Sequence, residues 1–181
     1  MNIGRFRKIC KICSYALLFF SAVIIFLVVY GIYLYFFGKA DMSFAYNSPS
    51  IPLYSMGGSE GAIGITATER NSAALAMLPI TQTITIFVLL KGAAAFKWLG
   101  DGKRPFEPKF VNIIKCISLV LMVSDIIFPI VHSIILTIIS ADGYNYNFGF
   151  GTAFIIGVIL YIVSEIFNYG IELQSLSDDV V

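Results

Sequence analysis

Apolar residues in this chain gather into four long runs, Ser14 to Phe37, Asn71 to Leu90, Cys116 to Ala141 and Gly143 to Ser164. Each is near or above the roughly 18 to 20 residues that cross a hydrocarbon core as helix. The ten-residue alternation of an outer-membrane barrel is absent. With the polar flanks, the pattern predicts spans over about 14–37, 71–92, 112–140 and 147–169, a loop over 38–70, a second over 93–111 and a tail over 170–181. The expected fold is therefore an all-α integral membrane protein, a single membrane domain built as a four-transmembrane-helix bundle. Composition agrees: 58% hydrophobic and 13% charged residues in 181, with a mean hydropathy of +0.86, exclude a soluble domain of this size.

Charge sets the expected orientation. Arg5, Arg7, Lys8 and Lys11 precede the first span; Lys91, Lys97, Lys103, Arg104, Lys109 and Lys115 cluster between the second and third. Only Lys39 and Arg70 lie elsewhere. The positive-inside rule makes both basic segments cytoplasmic, and four spans return the C-terminus to that side. The bacterial plasma membrane is the expected location. The basic inner face suits topology and contact with anionic lipid of the bilayer rather than direct nucleic-acid binding. The first apolar run is too long for a signal-peptide core and is read as a retained anchor. Tyr30, Tyr33, Tyr35, Phe36 and Phe37 form an aromatic belt at its far end. Cys10 and Cys13 form a C-x-x-C, with Cys116 expected on the same side; without a second pair or a nearby histidine this predicts no metal site.

The polar residues inside the apolar runs are the candidates for function. Asp125 lies within the third, and an ionisable group there must face protein or water rather than lipid. Pro129 lacks an N–H and so frees the Asp125 carbonyl, while His132 shares the face of Asp125 about 10 Å further along the helix. Gln82 and Thr85 on the second span reach a similar depth, which predicts that one of them hydrogen-bonds Asp125. These four residues form the expected intramembrane polar site. Nearer the inner interface Glu165 calls for a cation, with Lys91 and Lys115 at matching depth.

The 38–70 loop is punctuated by proline and glycine, and its short runs Pro52 to Met56 and Ala62 to Thr66 are expected to pair as a small hairpin. Thr66 and Glu69 have capping-box spacing at the start of the second helix. One histidine, no H-E-x-x-H, no nucleophile elbow, no P-loop and no dinucleotide fingerprint argue against an enzyme, and no cofactor is expected.

Two inner segments carry a resemblance. Gly102, Pro105 and Phe106, followed by Ile114, Lys115 and Ile117, resemble the G-x-P-F motif and the register after it in the bacterial membrane family called domain of unknown function 2975. Glu165, Ile166, Phe167, Gly170, Glu172, Leu173, Gln174 and Asp178 resemble the E-I-F-x-x-G-x-E-L-Q-x-x-x-D pattern with which that family ends. One extra residue separates Gly102 from Pro105, and Asn168 and Tyr169 stand where basic residues are usual. The resemblance implies a four-span protein often encoded beside small helix-turn-helix regulators. From it comes the first expected function: a regulatory or sensory membrane protein that holds such a cytosolic DNA-binding partner through Gly102, Pro105, Phe106, Glu172, Leu173, Gln174 and Asp178. The alternative is an immunity or resistance protein that meets an external peptide through the 38–70 loop. A third reading is a proton-coupled carrier using Asp125, which four helices sustain only as a homo-oligomer.

Overall fold

The computed structural model describes residues 3–37, 51–59, 66–103, 107–140 and 143–178. Four helices dominate: α1 (Ile3–Phe37), α2 (Ala67–Gly100), α3 (Pro108–Ile139) and α4 (Thr152–Asp178). All four are long and apolar enough to cross a membrane. At 1.5 Å per residue α1 to α3 run about 50 Å each, well beyond a hydrocarbon core of about 30 Å, so their ends project from it. Helix α2 starts at a complete capping box: the Thr66 N–H donates to Glu69 Oε2 at 2.7 Å and the Glu69 N–H donates to Thr66 Oγ1 at 3.3 Å. Pro108 opens α3 in the first turn, where its missing N–H costs nothing.

Among the described residues each helix packs only on its neighbours in sequence, giving an open row α1–α2–α3–α4. Small residues make the contacts, as expected where lipid removes the hydrophobic drive and close backbone approach takes over. The Ser14 hydroxyl on α1 donates to the Ala93 carbonyl on α2 at 2.9 Å, and a Cβ on Gly100 would come within 2.8 Å of Lys11. Between α3 and α4, a Cβ on Gly157 would come within 2.9 Å of the Ser118 carbonyl oxygen. Ser118 and Ser164 are fully buried and donate to the carbonyls of Lys115 and Tyr161 three residues back, so neither hydroxyl is left unsatisfied. The outer face of α1, with Phe19 and Phe26 about two-thirds exposed, is left for lipid.

A two-stranded antiparallel ribbon lies toward the end of the bundle opposite the two basic clusters. Strand β1 (Ile51–Ser59) pairs with β2 (Gly143–Phe150), Ile51 opposite Phe150 and Ser59 opposite Gly143, with a bulge between Pro52 and Tyr54. The run Pro52 to Met56 lies in a strand whose described partner is 143–150; of the expected hairpin partner, Thr66 caps α2 and residues 62–65 lie outside the described residues. The fourth helix starts at Thr152, not near 147, because the segment before it, Gly-Tyr-Asn-Tyr-Asn-Phe-Gly-Phe, alternates aromatic with small or polar residues in the period of a strand.

Candidate functional site at the Asp125 joint

Four residues of α3 recur at the four-residue spacing that keeps them on one face: Asp125, Pro129, Ser133 and Thr137. Strand β2 and the start of α4 dock against this stripe. The Asp125 carboxylate accepts hydrogen bonds from the backbone N–H groups of Gly151 and Phe154 through one oxygen, the second at 2.9 Å. It therefore caps α4 from a neighbouring helix, satisfying amides that have no intrahelical partner and setting a negative group at the positive end of the helix dipole. Gly151 is buried, and a Cβ there would lie 2.5 Å from Asp125 Oδ1, so only glycine lets the carboxylate approach. One turn on, the Ser133 hydroxyl donates to the Pro129 carbonyl at 2.7 Å and accepts the Asn147 N–H of β2 at 2.9 Å. Thr137 donates to the Ser133 carbonyl at 2.8 Å.

The geometry sets the depth of this joint. From Asp125 to the end of α3 is about 21 Å of helix, and β2 occupies that length beside it. Helix α4 thus starts deep in the molecule, level with Asp125. Backbone that leaves helical form at membrane depth must find its partners within the protein. Here β1, Ser133 and Asp125 supply them.

This arrangement corrects the expected pairing across α2 and α3. Asp125 is bonded to the start of α4 and to neither Gln82 nor Thr85. Thr85 donates instead to the Thr81 carbonyl at 3.0 Å, and Thr81 and Thr83 also turn back on their own helix around Pro79. Backbone carbonyls near Pro79 satisfy these hydroxyls locally, which removes the need for a cross-helix partner. Gln82 is half-buried. His132 is also half-buried and engaged in an interaction of its own. An apolar groove of about 630 Å³ separates α2 from α3 at this level, lined by residues such as Ile84, Phe87 and Val123.

Toward the basic end Lys115 Nζ lies 2.6 Å from Glu165 Oε1, joining α3 to α4, and 5.1 Å from the centre of the Tyr161 ring. Lys91, the other cation expected near Glu165, lies over the Phe87 ring instead, 5.4 Å from its centre. Of the residues expected to hold a partner, Gly102 has a φ of +81° and sits against the Arg7 guanidinium, a position that a side chain would fill with a clash at 2.6 Å. Glu172, Leu173 and Gln174 are exposed on the last turns of α4. Pro105 and Phe106 lie outside the described residues, as does the side chain of Asp178. No group of three metal-ligating side chains occurs among the described residues.

Ser133, Gly151 and the whole of β2 were not among the expected site residues. The spacing of Asp125, Pro129, Ser133 and Thr137 was the available signal for the first. For the others there was little, because the donors to Asp125 are backbone amides.

Four helices of spanning length, linked at one end by a ribbon, define a multi-pass helical membrane protein. Comparison with protein-family models, curated proteins and solved structures finds no match to this chain.

Proposed function

We propose that this protein is a non-enzymatic sensor or regulator of a bacterial plasma membrane, with both termini cytoplasmic and the exposed end of α4 holding a cytosolic partner. The observation that carries this reading is the continuity of one structural line. Strand β2 passes through the single residue Gly151 into α4, which runs unbroken to Asp178 at the opposite end. Asp125 ties the top of that line to α3, and Lys115 with Glu165 ties it lower down. A displacement of the ribbon is thereby handed to the exposed Glu172, Leu173 and Gln174. The resemblance to the family called domain of unknown function 2975 suggests a small helix-turn-helix regulator as the partner. The carboxylate of Asp125 is occupied by two backbone amides, which favours a mechanical joint over a proton-carrying site.

Affinity purification of the tagged full chain from its native membrane, with mass spectrometry, tests the proposal against a control lacking residues 171–181. A DNA-binding protein recovered with the full chain and lost without the tail supports it. A peptide or peptide exporter retained by both forms would instead favour immunity through the ribbon end.

A further inference from the structure

The basic end of the α1–α2 pair holds a cleft with the layout of a phospholipid site. It has a volume of about 130 Å³ and is lined by Lys11, Ser14, Tyr15, Leu18, Lys97 and Asp101. Lys11, Tyr15 and Leu18 follow one another at helical spacing along one side of α1, so the lining passes from charged, through an amphipathic phenol, to apolar in the direction of the bilayer interior. Lys97 in the last turn of α2 and Asp101, the residue that caps it, close the polar end. Among the described residues none of Lys11, Lys97 and Asp101 is in an ion pair. Two ammonium groups against one carboxylate leave the cleft with a surplus of one positive charge, the complement of a phosphodiester.

The two helices are held close at this point. Gly100 lies against the Cγ and backbone nitrogen of Lys11, and Gly102 against the Arg7 guanidinium, so the absence of side chains at both glycines lets the start of α1 seat against the end of α2. Outside the cleft, Lys103 and Lys109 sit over the Trp98 ring, 3.8 and 5.0 Å from its centre, and extend the positive surface. A soluble phosphate would use the lysines alone. The path from Lys11 to Leu18 adds a wall for an acyl chain.

We propose that this cleft is a binding site for an anionic phospholipid of the phosphatidylglycerol type. Lys11 and Lys97 hold the phosphodiester, the Tyr15 hydroxyl donates to it, Asp101 accepts from the glycerol hydroxyls, and an acyl chain follows Leu18. The inference does not depend on what partner the tail of α4 holds.

The full-length protein in a neutral detergent is titrated with short-chain phosphatidylglycerol by isothermal titration calorimetry, with phosphatidylcholine, phosphatidylethanolamine, glycerol phosphate and inorganic phosphate in parallel. Saturable binding of phosphatidylglycerol, not matched by any of the others, is expected. Combined Lys11→Gln and Lys97→Gln substitution should weaken it about 30-fold, through the loss of two charge-assisted hydrogen bonds to the phosphodiester. Combined Lys103→Gln and Lys109→Gln substitution removes the same charge without a direct bond to the lipid and should leave the affinity within about twofold in salt that screens the outer charges. Circular dichroism melting of both variants keeps misfolding apart from lost binding. An equal response to inorganic phosphate or to phosphatidylethanolamine, or equal weakening by both charge pairs, overturns the proposal.

Discussion

A carboxylate that receives two backbone amides behaves differently from one that meets a side chain, because its partners cannot be moved or replaced without moving α4. Asp125→Leu leaves the Gly151 and Phe154 amides without acceptors in a water-poor setting, at about 1 to 3 kcal/mol each. The melting temperature in detergent should fall steeply. Asp125→Asn keeps one carbonyl oxygen and should recover part of the loss. Gly151→Ala tests the same joint from the other side: its methyl meets the carboxylate, and a cost of about 1 to 3 kcal/mol is expected from the forced shift. Gln82→Leu should leave the melting temperature almost unchanged, since Gln82 makes no bond to Asp125; a fall as large as that of Asp125→Leu would restore the cross-helix pairing that the structure replaces. An Asp in an apolar run was readable as a residue needing a partner. Which partner was not, because every residue except proline offers an amide N–H and only the fold selects two of them.

Among the elements, α3 is the one against which α2, α4 and β2 all pack. One of its links to α4 near the basic end is the contact of Lys115 with Glu165, whose side chains are 37% and 43% exposed. Solvent and salt screen such a pair, so its contribution lies in orientation more than in stability. Exchanging the charges tests this. Lys115→Glu alone should reduce the yield of folded protein in size-exclusion chromatography, and adding Glu165→Lys should restore it. The hydrophobic runs made the four helices legible, since a membrane span needs little more than length and apolar character. The ribbon was not legible for the same reason. Gly143 to Phe150 abuts the apolar run that becomes α4, so reading by hydropathy merges it with that span, and its strand partner lies far along the chain instead of nearby.

For the molecule as a whole, the ribbon joins the connection between α1 and α2 to that between α3 and α4. It closes an arrangement that is otherwise a row of neighbours. Cysteine cross-linking checks the register at this scale. With Cys10, Cys13 and Cys116 changed to serine, Met56→Cys combined with Tyr146→Cys should form a disulfide under mild oxidation, because the two residues are directly opposed. Ser59→Cys with Tyr146→Cys, offset along the ribbon, should not; cross-linking of that pair at a similar rate would mean that the strands slip.

The row also has an order in time. Contacts between successive helices become available as each helix follows the last out of the ribosome, whereas β1 must wait until β2 has been made. The interval between residues 59 and 143 amounts to about 4 to 17 s of synthesis at ordinary rates. Throughout it β1 has no ladder partner of its own, and an unpaired strand is open to pairing with other chains. Crowded synthesis of this protein should therefore expose β1, more than any of its helices, to mispairing between nascent copies.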